Sequence, residues 1–320
     1  MDAAAAGAWT VSAEDGMNVV VIGAGGVGGY FGGKLARSGA DVTFVARGPH
    51  LDAIRAGGLR VRSTVDGEAT VRVTAVPELA GRPRADAVLL CVKSFDTEAA
   101  AEALRPVLGA ATPVVSLQNG VDNEAKIDAR LGPGHAVGGA AYVFATIESP
   151  GVIAHTQGGR IVLGELDGQS RPRTERLRDA LNRAGVAVEL SSNIRRVLWE
   201  KYLAIAAQAG MTALSRSPSG VLRAVPETWT MFRRIVEEMA ALAACEKVDL
   251  APDIADRIVR GAEGLAPTTT SSMYHDLTHG NRLELEALHG HAVRLGERHG
   301  VPTPMLFAVY AALKPHAEPG

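Results

Sequence analysis

The chain has 320 residues, 47% of them hydrophobic, a length and composition that suit two buried cores better than one. Its 33 Lys and Arg against 35 Asp and Glu leave a formal charge of −2, which gives no electrostatic drive toward nucleic acid or an anionic membrane surface. No apolar run suits a membrane helix: Val19 to Gly33 is uncharged but broken by glycines, and Val137 to Ile147 is too short.

Residues 1–16 contain no Lys or Arg and no sustained apolar stretch, so they read as a disordered leader and not as a secretory signal. From Met17 onward, short β-branched runs alternate with helical patterns, as in a parallel sheet wrapped by helices. Strands are expected at Asn18 to Ile22, Asp41 to Ala46, Ala87 to Val92 and Pro113 to Leu117. Helices are expected at Gly28 to Ser38, Asp96 to Leu108 and Asn123 to Leu131, with Asp96 and Asp122 as caps of the last two. Ala136 to Leu163 reads as an antiparallel extension with turns at Ser149-Pro150-Gly151 and Gly158-Gly159. A helix over Thr174 to Ala184 and a strand over Val186 to Leu190 follow. Beyond Ser192 only helices are expected, at Ile194 to Gln208, Glu227 to Glu246, Asp253 to Val259, Leu283 to His299 and Pro304 to Leu313.

The fold class is therefore α/β: an N-terminal Rossmann doubly wound sheet over residues 17–192 and a C-terminal all-α domain over residues 193–320. Ala240 to Ala244 on the long helix are small and apolar, which suits packing within the domain or across a homodimer. The two cysteines lie far apart, Cys91 within an apolar run, a usage that fits a reducing cytoplasm.

Gly23-Ala24-Gly25-Gly26-Val27-Gly28 is a G-x-G-x-x-G that follows a strand and opens a helix, the context in which this pattern means dinucleotide binding. Gly23 allows the tight turn, Gly25 the approach of a pyrophosphate, and Gly28 the close packing of helix on strand. An NAD enzyme usually ends its second strand with an acid, but here that position is Arg47, whose guanidinium suits a 2′-phosphate and favours NADPH. Arg55, Arg60 and Arg62 follow as further basic residues or as solvated surface charge. Lys93 and Asn119 lie where later strands end, and their side chains suit a nicotinamide ribose or a carboxylate.

Taken in order, the glycine motif, Val92-Lys93-Ser94, Gln118-Asn119-Gly120, Trp199-Glu200-Lys201 and Ser271-Ser272-Met273 resemble the ketopantoate reductases over nearly the whole chain after the leader. The last two segments carry most weight, because they lie outside the cofactor fold that many oxidoreductases share. The resemblance implies that Lys201 is the general acid, protonating a carbonyl oxygen as NADPH delivers hydride to carbon. It also implies that Ser272 binds a substrate carboxylate and that Glu284 is the acid near the reaction centre, where it would hold Lys201 in place. Glu286 is the solvated alternative, and Ser271 and Asp276 are supporting residues, Asp276 as a cap.

The family's two asparagines, four and eight residues after the lysine, are here Ile205 and Ala209, with Gln208 as a neighbouring polar group. Their loss points to a more apolar 2-oxo acid or ketone, with ketopantoate itself still open. Two other readings stand beside the reductase: a non-catalytic NADPH sensor and a hydroxyacid dehydrogenase acting oxidatively. His275, His279, His289 and His291 are read as cleft or surface histidines, and no metal is assigned.

Overall fold

The computed structural model describes residues 16–319, so all but the last residue of the expected leader lies outside the described residues. In chain order the first elements are β1 (Asn18–Ile22), α1 (Gly26–Arg37), β2 (Asp41–Val45), α2 (Gly48–Gly57), β3 (Leu59–Ser63), β4 (Gly67–Val71), β5 (Thr74–Val76) and β6 (Ala87–Leu90). Then come α3 (Thr97–Ala103), β7 (Val114–Ser116), α4 (Asn123–Leu131), β8 (Ala136–Ser149), β9 (Val152–Glu165), α5 (Pro172–Arg183) and β10 (Ala187–Leu190). The remainder is helical: α6 (Ile194–Ser215), α7 (Ser219–Ala224), α8 (Pro226–Cys245), α9 (Ile254–Glu263), α10 (Ser272–Thr278), α11 (His291–His299) and α12 (Pro304–Leu313).

The strands form one ten-stranded sheet. Its parallel part runs β5-β2-β1-β6-β7-β8, the order of a dinucleotide fold in which the chain reverses direction across the sheet between β1 and β6. β1 is sided by the period-2 alternation of its pleat. Val19 and Val21 join Phe31, Leu35, Leu177 and Leu181 in one core, while Val20 and Ile22 join Ala100, Leu104 and Ile127 in the other. β9 pairs antiparallel with β8, and its far edge carries β3 along its first half and β10 along its second, both parallel.

The stretch between β2 and β6 holds a helix, a hairpin and a strand that the periodicity does not announce. β3 and β4 alternate apolar and charged residues, and Arg60 and Arg62 are both drawn to Glu68 on the hairpin, with Arg62 also reaching Glu148. Arg55 donates to Ala75 O at 2.9 Å. These three arginines are thus structural ties at the two opposite ends of the sheet, Arg60 and Arg62 at β3 and β4 and Arg55 at β5.

Gly158-Gly159 is not a turn. Tyr142 pairs with Arg160 and Val143 with Gly158, so Gly159 is an extra residue bulged out of β9, and both glycines have positive φ, +81° and +120°. Asp96 and Asp122 occupy N-cap positions but make no capping bond. Asp96 pairs with Arg47, and Asp122 pairs with Lys126 and faces His291.

α6 is the axis of the helical part. Asn193 caps it by accepting from Arg196 N–H, and Arg216 ends it in the left-handed region at φ 52°. Its residues Tyr202, Leu203, Ala206, Ala207 and Met211 are enclosed by Phe232, Ile235 and Met239 of α8, Leu306 and Val309 of α12, and Leu285 and Leu288. The α8 residues Leu242 and Ala243 belong to this core, whereas Ala241 and Ala244 are exposed.

Leu283 to His299 is not a single α-helix. A π-helical turn over Glu286–Gly290 precedes α11, and the inserted residue is accommodated by α6: Tyr202 Oη donates to Ala287 O and Leu288 O, at 3.1 and 2.7 Å. His289 Nε2 lies 3.0 Å from Ala206 O, a donor geometry, and full burial holds the imidazole neutral, with its pKa pushed down to about 4. Gly210 makes room for that ring, because a Cβ there would stand 2.5 Å from His289 Nε2 and 3.0 Å from Val309 Cγ1. Gly210→Ala is expected to destabilise the helical part by about 1–3 kcal/mol, read as a lower urea midpoint with unchanged slope.

Candidate active site

The carboxyl end of β1 meets the start of α1 in a turn whose glycines do different things. Gly23 has φ +98°, and a Cβ on Gly28 would stand 2.1 Å from Gly23 O, so α1 can lie against the turn only with glycine at that position. Gly26 is pressed against β8, its added Cβ falling 1.9 Å from Ala145 O. Gly25 has an ordinary φ of −71°, and no heavy atom lies within 4 Å of where its Cβ would be. No side chain caps α1, so the N–H groups of Gly26, Val27 and Gly28 remain available at the positive end of the helix. An open cradle beside uncapped donors fits a dinucleotide pyrophosphate.

Arg47 stands at the N-cap of α2, just after β2, with its side chain 81% exposed and held only by a 3.1 Å ion pair to Asp96. An exposed guanidinium beside a helix start can turn onto a phosphate with little loss. His50 on α2 braces the glycine turn from behind: its Nε2 lies 2.8 Å from Ala24 O, and its Nδ1 accepts from Gly151 N–H at 3.0 Å. Sequence reading passed over this residue.

A second group of residues gathers where β6 and β7 end and the helical part begins. Lys93 Nζ donates to Asp276 at 2.7 Å and to Glu284 at 3.3 Å, and Glu284 also accepts from Ser94 N–H at 3.0 Å. Glu284 is 6% exposed, so its charge is stabilised by these donors and not by water. The expectation that Glu284 directly holds Lys201 is therefore corrected. Its partner is Lys93, because the Ser94 N–H and the Lys93 ammonium converge on its carboxylate from the β6 side. Asp276, expected as a cap, is instead the other acceptor of Lys93. Glu286 points to the surface, where Arg294, Lys314 and Tyr310 hold its carboxylate, pushing its pKa down to about 2 against the opposing effect of partial burial.

Lys201 lies on the second turn of α6, half-buried and without a hydrogen bond or ion pair among the described residues. Desolvation pushes its pKa down to about 8, against the raising influence of the Glu284 and Glu124 charges. Glu124, in the first turn of α4, is 6% exposed, and burial pushes its carboxyl up to about 7. Nothing in the sequence singles it out: an acid in the first turn of a helix reads as an ordinary partner of the helix dipole. Asn119 is half-buried on the loop before α4, its backbone carbonyl accepting from Asn123 Nδ2 at 2.9 Å.

Ser271 caps α10 by accepting from Tyr274 N–H and is bonded to Thr212 at 2.7 Å, so its hydroxyl is committed to the fold. Ser272, the first residue of α10, is exposed. Gln208 donates to Ser219 Oγ at 2.7 Å, which ties its amide to α7 and away from the role of replacing a missing asparagine. Ile205 is partly buried and Ala209 buried against the helical core. Cys91 lies just beyond β6, and burial pushes its thiol well above the ordinary range. Among the described residues no three His, Cys, Asp or Glu side chains come together as a metal site, and no helix is long and apolar enough to cross a membrane.

The sequence profile described as ketopantoate reductase PanE/ApbA matches residues 19–168, and that of the ketopantoate reductase PanE/ApbA C terminal matches residues 193–317. A 2-dehydropantoate 2-reductase of Mesorhizobium japonicum is 32% identical over 322 residues, covering 93% of this chain and 97% of its own. An uncharacterized oxidoreductase of Bacillus subtilis is 30% identical over 302 residues, covering 93% and 98%. The crystal structure of a PanE/ApbA family ketopantoate reductase from Ralstonia eutropha superimposes with a TM-score of 0.86 at 35% identity, covering 94% of this chain and 98% of that one.

Proposed function

Because the chain belongs to the ketopantoate reductase family of oxidoreductases, we propose that it reduces a 2-oxo acid or related ketone with NADPH, Lys201 giving the proton to the carbonyl oxygen. The observation that carries this reading is the state of Lys201: a half-buried ammonium, unbonded among the described residues, with its pKa lowered by desolvation to about 8. Such a group is charged at neutral pH yet gives up its proton readily, as a general acid must. The Gly23–Gly28 turn would hold the pyrophosphate of a nicotinamide dinucleotide, whose chemistry when bound would be hydride donation to the carbonyl carbon. In this reading the Lys93, Asp276 and Glu284 cluster orders the wall of the cleft, and the exposed Ser272 hydroxyl donates to a substrate carboxylate.

With Ile205 and Ala209 on the Lys201 helix and Gln208 tied to Ser219, α6 offers the substrate side chain little polar company. A 2-oxo acid with an apolar branched or aryl group suits that wall better than one with a hydroxyl to satisfy. A panel of 2-oxo acids and ketones followed by NADPH absorbance tests this. The expected result is a higher kcat/KM for apolar members than for ketopantoate, and the reverse order overturns the assignment. Arg47→Asp is expected to weaken NADPH by about 10- to 100-fold while sparing NADH, the loss of a charge-assisted phosphate contact worth about 1.5–3 kcal/mol. Titration of both nucleotides by fluorescence checks it; equal losses would remove the case for NADP.

A further inference from the structure

We propose that Asp96 is a specificity-determining residue at the adenosine ribose, a carboxylate that narrows the preference for NADPH over NADH which Arg47 creates. The inference rests on the reading of Arg47 as the partner of the 2′-phosphate. An NAD enzyme takes its ribose-binding acid from the end of the second strand, and that place is occupied here by Arg47. The fold returns an acid to the same spot from another element. Asp96, 49 residues further along the chain, lies on the turn between β6 and α3, and its Oδ2 stands 3.1 Å from Arg47 Nη2.

That turn is bonded from both parts of the molecule, so the Asp96 backbone stays beside Arg47 whatever the guanidinium does. Asp96 N–H donates to Lys93 O at 2.9 Å, and Thr97 Oγ1 donates to Ser94 O at 2.8 Å. Gln118, just after β7, donates from Nε2 to Val92 O at 3.0 Å and to Thr97 Oγ1 at 2.8 Å. From the helical part, Glu284 accepts from Ser94 N–H, and the Arg282 guanidinium lies 4.2 Å from the centre of the Phe95 ring. The Asp96 side chain adds nothing to this frame: at the N-cap of α3 it makes no capping bond, and Arg47 is its one side-chain partner among the described residues.

The basic residues that follow β2 are otherwise engaged. Arg55 is bonded to Ala75 O, Arg60 and Arg62 are drawn to Glu68, and both ring nitrogens of His50 face backbone groups. Arg47, 81% exposed, is the one of this group open to a phosphate, and it already shares its charge with a carboxylate. Parting an exposed ion pair costs little, so Asp96 does not exclude a phosphate merely by holding Arg47. Its effect comes from staying behind: a 2′-phosphate dianion drawn onto Arg47 meets the negative charge of Asp96 at close range. A ribose 2′-hydroxyl meets the opposite situation, because the same carboxylate can accept its hydrogen bond. One residue therefore penalises NADPH and favours NADH.

The test is fluorescence titration of NADPH and NADH with the wild type, Asp96→Asn, Asp96→Ser and Arg47→Ala, repeated with adenosine 2′,5′-bisphosphate and 5′-AMP as competitors that lack the nicotinamide. In Asp96→Asn the Kd for NADH divided by that for NADPH is expected to rise about tenfold, NADPH binding more tightly and NADH equally or less well. The bisphosphate should gain on 5′-AMP by a similar factor, and Asp96→Ser should move both ratios in the same direction. A ratio that is unmoved or falls in Asp96→Asn, while Arg47→Ala loses NADPH selectively, overturns the role of Asp96 alone. Equal losses of both nucleotides in Arg47→Ala overturn the phosphate reading beneath it. Should Asp96→Asn fail to fold by circular dichroism, Asp96→Ser carries the test, and an unmoved ratio in that variant overturns the proposal.

Discussion

Lys201→Ala is expected to lower kcat for carbonyl reduction by about 10²–10⁴ at neutral pH, the usual worth of a positioned general acid, while the affinity for NADPH stays within about twofold. The two effects should separate because Lys201 is on α6 and the cofactor cradle is at the junction of β1 and α1. The protein fold should be largely indifferent to the change, since Lys201 makes no hydrogen bond or ion pair among the described residues that would be left broken. Relief of a half-buried charge should, if anything, leave the melting temperature unchanged or slightly higher. A lysine whose pKa is lowered to about 8 also sets the direction of the pH dependence. Reduction needs the ammonium, so wild-type kcat should be full below that value and decline as pH rises through it; oxidation of the alcohol needs the free amine and should rise over the same range. Stopped-flow or steady-state rates in both directions from pH 6 to about 10 would read both limbs. A pH-independent wild-type rate, or a variant with normal kcat, would exclude Lys201 as the proton source.

The parts of the molecule legible in the sequence are those whose cause is local. β1 and α1 are announced by four consecutive apolar β-branched residues and a glycine pattern whose conformational demands fall on individual positions. α4 shows its periodicity because it has one buried stripe, ended by Gly132 at φ 92°. The β3-β4 hairpin escaped because Leu59-Arg60-Val61-Arg62-Ser63 buries Leu59 and otherwise reads as solvated charge, while its edge partner β9 is distant in sequence. The π-turn escaped for another reason: one inserted residue scarcely disturbs a pattern that repeats every 3.6, and its compensating bonds come from Tyr202 on another helix.

The site divides in the same way. Gly23 and Arg47 are visible because what they suit depends on residue type and place along one element, whereas Lys201 is singled out by the resemblance to a family. The partners of Lys93 lie 183 and 191 residues away, and no local pattern links them. Glu124 differs from Glu98, another first-turn acid, in being buried, a property created by how α4 packs on α3 and β8 and not by its place in the helix. The misassigned contact of Glu284 has the same origin, for spacing can bring an acid into the cleft but cannot choose between two lysines there.

Gly25→Val should nearly abolish cofactor binding, weakening NADPH by about 100-fold or more, a loss of about 2.7 kcal/mol, and yet leave stability almost unchanged. The dissociation follows from the two glycines of the turn having opposite surroundings. At Gly25 the backbone φ of −71° is open to any residue and nothing stands within 4 Å of an added Cβ, so a side chain there meets no protein atom and projects into the cradle. At Gly28 an added Cβ would stand 2.1 Å from Gly23 O and 3.0 Å from the side chains of Cys91 and Val21, so Gly28→Val must push α1 off β1 and cost stability as well as binding. The pair of variants therefore distinguishes a cradle from a packing motif. Calorimetric titration with NADPH and thermal unfolding without it give four numbers, and the expected pattern is loss of affinity in both with a lowered melting temperature only in Gly28→Val. Were Gly25→Val to bind NADPH as the wild type does, the open space beside Gly25 would not be where the pyrophosphate lies, and the glycine motif would have to be read as a structural turn alone.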